Sequence, residues 1–368
     1  MLRFLRPSLP PLDSVIEHYR AVYESGMITN AALVARFEAA AAERIGVKHC
    51  VAVSSCTSGL LLVLRALDLE GEVILPSFTF FATGHAVLWN RLRPVFADCD
   101  PETWNIDPAN VEARITERTC AIVGVHLYGN PCAVDRLGDL AQKHNLRLVF
   151  DAAHGFGSVS QGRPVGQFGD AEVFSFTPTK TLVCGEGGLV ATNDALLAHR
   201  IRAGRNYGDL GSYDPELLGF NARMPEFQAA MGLAGLEHVD AKIRRHNEIA
   251  AQYTTELTKA KGLAVPEVRA DDLCSFKDYS VAVDPEIFGL TRDQVAAAML
   301  KESIETKKYF YPPLHQQKLY REYATSLPVT ERISSQVLSL PIYESMTDED
   351  VELVLTAAQT VAGQKQQR

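Results

Sequence analysis

The sequence lacks any apolar run long enough to cross a bilayer, which takes about 20 consecutive residues, so no membrane-spanning helix is expected. Cysteine is sparse and scattered. The seven residues Cys50, Cys56, Cys99, Cys120, Cys132, Cys184 and Cys274 are an odd number without a C-x-x-C pair. They predict core thiols of a reducing compartment and exclude a disulfide framework or a zinc site. The ten histidines show no H-E-x-x-H or H-x-x-H spacing, so no metal is expected. Positive charge is in deficit, with 36 Lys and Arg against 45 Asp and Glu, a net charge of −9 and a pI of about 5.6. That balance excludes a general nucleic-acid or acidic-membrane binder, and an anionic ligand must be held by local groups. The opening "MLRFLRPSLPPLDS" interrupts its apolar residues with Arg3, Arg6 and several prolines. It is a poor secretory signal, and a cytoplasmic protein is expected.

A hydrophobic content of 46% with 22% charged residues is that of a soluble globular chain, and 368 residues predict one large domain plus a smaller one. From about residue 47, short Val-, Ile- and Phe-rich blocks recur: "HCVAVSS", "EVILPS", "RPVFADC", "CAIVGVHLYG", "LRLVFDAA", "AEVFSF" and "GGLVAT". They lack strict alternation, as strands covered on both faces do. Helical stretches such as "TSGLLLVLRALDL", "FFATGHAVLWN" and "AVDRLGDLAQKHN" separate the early ones, and the last three follow one another without helices. This is the α/β pattern of a largely parallel sheet, whose ligands lie beyond the carboxyl ends of the strands. After Asn193 a helix, a loop to about 225 and one long helix over 226–259 are expected, the last bridging two domains. A strand at "YSVAVD", a helix at "TRDQVAAAMLKES" and a final helix from "TDEDVELVLTAAQTVA" complete the pattern. Residues 1–250 are therefore expected to form a large α/β domain and 251–368 a smaller α+β one.

Four features fall at strand ends. In "VSSCTSGLLLVL", Thr57 and Ser58 open a helix whose free N–H groups and dipole suit a phosphate, although Ser and Thr also cap helices of any function. In "LRLVFDAAHGFGS", Asp151 ends a buried strand before His154; such an acid is a cap, a metal ligand or the partner of a buried cation. In "FSFTPTKTLVCGEGG", Ser175 ends a strand and Lys180 follows, either a solvated lysine or a reactive amine whose pKa burial lowers. In "LPSFTFFATG", Phe80 is either core or a flat face for a planar ligand. Pyridoxal 5'-phosphate requires this set of parts: a lysine for the Schiff base, an acid at the pyridine nitrogen, a phosphate cradle and an aromatic face.

Through "VAVSSCTSGLLLVLRAL", "EVILPSFTFFATGHAV", "RPVFADCDPETWNIDP", "VFDAAHGFGS", "GDAEVFSFTPTKTLVCGEGGLVATND" and "GFNARMPEFQAAMGLAGLE", the chain resembles the DegT/StrS-type sugar aminotransferases. The likeness extends in order from "SGMITN" to "LSLPIYESMTDEDV". It implies a fold type I transferase: a mostly parallel seven-stranded sheet with helices on both faces, plus a smaller C-terminal α+β domain. It also implies pyridoxal 5'-phosphate as cofactor, with pyridoxamine 5'-phosphate as the intermediate form. Lys180 takes the place of the Schiff-base lysine, Asp151 of the pyridine-nitrogen partner, and Thr57, Ser58 and Ser175 of phosphate-binding residues. Phe80 matches the ring-stacking aromatic, His154 the residue beside the ring oxygen, and Asn221 a residue reaching the phosphate of the neighbouring subunit. A homodimer with shared active sites follows. Cys56 and Ala31 depart from the family, which often has glycine at both places.

The expected reaction moves an amino group from glutamate to a nucleoside-diphosphate-linked keto-deoxysugar, with dTDP-4-keto-6-deoxyhexose preferred and a 3-keto sugar the main rival. Arg205, Arg223, Lys307, Lys308, Tyr311 and His315 are candidate contacts of the nucleotide sugar. A sugar dehydratase of the same fold carries histidine in place of the lysine, so Lys180 favours transamination. A non-catalytic regulator that binds the cofactor is disfavoured by the complete residue set.

Overall fold

The computed structural model describes residues 1–363. All seven apolar blocks form strands: β1 (His49–Val53), β2 (Glu72–Pro76), β3 (Arg93–Ala97), β4 (Thr119–Val125), β5 (Arg147–Asp151), β6 (Ala171–Ser175) and β7 (Gly188–Thr192). They make one sheet in the order β1-β7-β6-β5-β4-β2-β3. Strands β2 to β6 pair in parallel, while β7 runs against both β6 and β1. The chain reverses there because the loop 176–187 that joins β6 to β7 contains no helix to carry a crossover. Strands β2, β6 and β7 are buried along their whole length, as near-continuous apolar blocks require. One face packs against Leu60, Leu64 and Val87 from the Cys56–Ala66 and Phe81–Trp89 helices. The other packs against Phe37, Ala230 and Phe156 around the Ala32–Ile45 helix.

Asp151 and Ser175 end β5 and β6, and the first turn of the Cys56–Ala66 helix follows β1 at the same edge. The antiparallel β7 begins at this edge, with Gly188 in register between Val53 and Ser175. A side chain at Gly188 would bring its Cβ within 2.5 Å of the Ser55 carbonyl carbon, so glycine there lets the β7 backbone pass directly beneath the helix N-terminus.

The long helix expected over 226–259 is two helices, Glu226–Leu236 and Val239–Leu257, separated by a turn at Glu237 and His238. Gly235, in the last turn of the first of them, is a weak helix former and lowers the cost of ending the helix there. Glu226 is buried, and its carboxylate accepts the backbone N–H groups of Ala31, Leu33 and Val34. A residue 194 positions away thus caps the Ala32–Ile45 helix, which supplies no cap of its own. Ala31 has φ −122°, so this departure from glycine places no strain on the backbone.

Toward the C-terminus, β8 (Leu263–Ala264), β9 (Tyr279–Val283) and β10 (Val337–Leu340) form a second, antiparallel sheet. Its core gathers Ile249, Tyr253, Val281, Met299, Leu338 and Val354, and Leu2 of the N-terminal segment packs into it. Leu2 donates to the Ser303 carbonyl at 2.7 Å, and its own carbonyl accepts from Glu305 N–H at 3.0 Å. A smaller cluster of Phe78, Trp104, Tyr128, Ile333 and Val337 joins the two sheets and carries Tyr309 and Phe310 on its side. Asp98 strengthens that junction by accepting from Val329 and Thr330 N–H at 3.1 and 2.7 Å. Among the described residues no helix is long and apolar enough to cross a membrane.

Candidate active site

A cavity of about 340 Å³ opens at the carboxyl edge of the large sheet. Its walls come from the helix after β1 (Ser55, Cys56, Thr57), the segment after β2 (Thr79, Phe80, Ala82), the end of β5 (Asp151, His154) and the β6–β7 loop (Thr177, Thr179, Lys180, Glu186). Lys277, Tyr309 and Phe310 close it from the C-terminal elements. Six of the residues singled out in the sequence therefore meet in one place: Thr57, Phe80, Asp151, His154, Ser175 and Lys180.

Ser55 caps the Cys56–Ala66 helix. Its hydroxyl accepts Ser58 N–H at 3.0 Å, and Ser58 Oγ in return accepts Ser55 N–H at 3.0 Å. This capping box turns Ser58 away from the cavity and uses its N–H, leaving Thr57 and the first-turn N–H groups on the cavity side. Cys56, the other departure from glycine, does not crowd that turn. Its buried thiol points inward, 3.8 Å from Asp151 Oδ1 and 3.4 Å from the Val173 carbonyl oxygen. Burial first and the Asp151 charge second push this thiol well above the usual range, so it stays protonated.

Asp151 is buried, and its carboxylate is oriented from both sides. Thr83 Oγ1 donates to Oδ2 at 2.7 Å, and Ala153 N–H donates to Oδ1 at 3.1 Å. His154 accepts Tyr128 N–H on Nδ1 at 3.1 Å, which places the ring proton on Nε2. Its imidazole stacks on Phe310, with centroids 6.2 Å apart and planes 11° from parallel. Burial, then Lys180 and Lys277, hold its pKa well below the usual value, so the ring is neutral. Phe80 is 45% exposed beside Phe81 at a 3.9 Å centroid separation, and it forms an aromatic edge to the cavity.

Lys180 sits on a loop whose base is fixed. Phe176 N–H bonds to the Gly187 carbonyl and Cys184 N–H to the Phe176 carbonyl, both at 2.9 Å, while Leu182 and Cys184 are buried in the core. The turn closes with Lys180 N–H on the Thr177 carbonyl at 3.0 Å. The side chain is partly buried at the cavity wall. Burial first, then the positive charge of Lys277, lower its pKa to about 8; Asp278, Cys56 and Asp151 oppose that shift. Among the described residues this amine makes no hydrogen bond or ion pair, so it is free to react.

The remaining candidates lie elsewhere. Arg205 is buried with its guanidinium on Glu38 and on the Ala52 carbonyl, so it serves the edge of β1 and does not reach the cavity. Lys307 pairs with Glu305 at 2.9 Å and Lys308 with Asp293 at 2.7 Å. Tyr311 lies under the Arg292 guanidinium, 4.6 Å from its carbon. His315 is buried against Ser77 Oγ at 2.7 Å and Glu331 at 3.3 Å, fixing the 311–317 turn to the end of β2. Arg223 bonds Asn206 and stacks over Tyr207, and Asn221 is exposed, bridged to Asn206. Sequence patterns single out neither Lys277 nor its neighbours Tyr309 and Phe310. The one available signal is "FKDYSVAV", in which adjacent opposite charges stand directly before an apolar strand.

Together these groups suit a flat anionic ring: hydroxyls and a helix N-terminus at one end, an aromatic edge, a fixed carboxylate and an amine of lowered pKa. A phosphorylated pyridine aldehyde matches each in turn. The family model described as the DegT/DnrJ/EryC1/StrS aminotransferase family matches residues 13–359. The chain is 38% identical to a UDP-N-acetyl-3-dehydro-alpha-D-glucosamine 3-aminotransferase of Acidithiobacillus ferrooxidans, over 87% of this chain and 86% of that one. It is 32% identical to a dTDP-4-amino-4,6-dideoxy-D-glucose transaminase of Shigella dysenteriae, over 97% and 98%. Among solved structures, DesI in the presence of its TDP-sugar product superposes with a TM-score of 0.93 at 41% identity, covering 98% of this chain and 93% of that one.

Proposed function

The chain belongs to the DegT/DnrJ/EryC1/StrS aminotransferase family and is a pyridoxal-phosphate-dependent transaminase, and we propose that it moves an amino group from glutamate to a keto-deoxysugar carried on a nucleoside diphosphate. The observation that carries this is the free amine of Lys180 facing the oriented carboxylate of Asp151 in one cavity with a helix N-terminus. When bound, pyridoxal 5'-phosphate supplies an aldehyde that takes up the amino group and a ring that accepts electron density from the reacting carbon.

The chain's own residues perform the rest. Thr57, Ser175 and the first-turn N–H groups would hold the phosphate, with Phe80 and the neutral His154 available to the ring. The Asp151 carboxylate, fixed by Thr83 and Ala153, would hold a proton on the ring nitrogen and so keep the ring cationic. Lys180 would anchor the aldehyde carbon, and its neutral amine would take the proton from the donor's α-carbon and return one to the former carbonyl carbon of the sugar. Glu186 and Phe80 are exposed at the cavity's open side, where the sugar enters.

We take the sugar to be a dTDP-4-keto-6-deoxyhexose, supported by the likeness to the dTDP-4-amino-sugar transaminase and to the structure holding a TDP-sugar product. The 3-keto alternative is supported by the 38% identity to the 3-aminotransferase. A homodimer is part of the proposal. Asn221 and Arg223 lie outside their own chain's cavity, and the loop before them exposes Tyr213 and Leu218 at 97% and 75%. The test supplies glutamate with 3-keto and 4-keto sugars on thymidine, uridine and guanosine diphosphates and locates the new amine by NMR. Nitrogen on C4 of the thymidine-linked sugar is expected; nitrogen on C3 overturns the 4-keto assignment, and no amino sugar from any of them overturns the proposal.

A further inference from the structure

The mechanism uses one lysine, yet the cavity wall holds two. Lys277 is 5% exposed and cannot extend its ammonium to water. Both oxygens of the neighbouring Asp278 hold it, at 2.7 and 2.8 Å from Nζ, and Asp278 is itself 1% exposed. The backbone is equally fixed, because Lys277 N–H donates to the Tyr128 carbonyl at 2.9 Å and β9 begins two residues later. The Tyr309 ring lies 5.4 Å from Nζ. Lys180 and Lys277 line the main cavity together, and together they also line a small cavity behind the Lys180 loop.

We propose that Lys277 and Asp278 form a fixed charge pair that sets the protonation of Lys180, making Lys277 a positioning residue for the reacting amine. A cation held beside Lys180 in a poorly hydrated wall disfavours a second proton there. Asp278 anchors that cation and limits its effect. The other groups facing Lys180 are Cys56 from the first helical turn, Asp151 and His154 from the end of β5, and Glu186 from its own loop. Arg6, Lys242, His246, Tyr343 and Glu344 line the small cavity behind. After burial itself, Lys277 has the largest lowering effect on Lys180, and Asp278 is the foremost opposing charge.

The inference rests on Lys180 being the reacting amine, and the test separates the two claims. Full-length protein stripped of cofactor is mixed with pyridoxal 5'-phosphate from pH 6 to 10, and the rate of covalent uptake is followed by visible absorbance. In the wild type the rate should rise with a midpoint near pH 8, where the Lys180 amine becomes neutral. Lys277→Met removes the repelling cation and should raise the midpoint by about one pH unit, slowing uptake at pH 7 roughly tenfold. Asp278→Asn removes the attracting anion and should lower the midpoint, while Lys277→Arg should keep the wild-type value. If either single variant fails to fold because its partner is left as a lone buried charge, Lys277→Met/Asp278→Asn loses both charges together and should give a midpoint between those expected for the singles. Midpoints that stay fixed, or singles that move in the same direction, overturn the role of Lys277. Covalent uptake that survives in Lys180→Ala overturns the assignment of the amine on which it rests.

Discussion

Lys180→Ala is expected to lower amino transfer by more than about 10⁴-fold, since one side chain supplies both the covalent anchor and the proton carrier. The fold should survive. The amine makes no hydrogen bond or ion pair among the described residues, and the loop is held by Leu182, Cys184 and backbone bonds at Phe176. Electrostatics favour the variant. Folding lowers the amine's pKa from 10.5 to about 8, so protonation opposes the folded state below pH 8, and the penalty fades as pH rises through the unfolded value. At pH 7 the variant should unfold at equal or higher denaturant concentration than the wild type. Lost turnover together with a lowered unfolding midpoint would show a structural lysine instead of a reacting one.

Asp151→Asn should be the next most damaging change, with a fall in turnover of about 10²–10³-fold. Asparagine keeps the shape and can still accept from Thr83, which donates to the carboxylate at 2.7 Å. It removes the negative charge that keeps a ring proton in place at the end of β5. Uptake of the cofactor depends on the phosphate cradle and Lys180, so it should change much less than turnover. Steady-state kinetics alongside a cofactor-binding titration separates the two. Equal losses in both would assign Asp151 to binding alone.

The large sheet is legible in the sequence because covering both faces of a parallel strand demands unbroken apolar blocks, and "EVILPS" or "LRLVFDAA" has no other economical use. The chemistry at the strand ends is legible for the same reason: Asp151, Ser175 and Lys180 interrupt apolar runs at the points where the fold places ligands. Contacts between distant segments are not. Arg205 looks like a free cation until Glu38, 167 positions earlier, is folded against it. Ser58 resembles a phosphate ligand, yet the capping box it forms with Ser55 depends on side-chain rotamers that residue type does not determine. Lys277 and Asp278 form no recognisable pattern in the sequence, and their burial at the cavity appears only in the fold, where Lys277 N–H meets the Tyr128 carbonyl.

The central claim is that Lys180 is the residue bonded to the cofactor, and it is tested most directly by reducing the cofactor-loaded protein with borohydride and mapping the modified peptide by mass spectrometry. The expected result is one cofactor-sized addition per chain, located on Lys180 within the 174–188 segment and absent from Lys180→Ala. An addition located on Lys277, or none on any lysine of a protein that carries the cofactor, would contradict it.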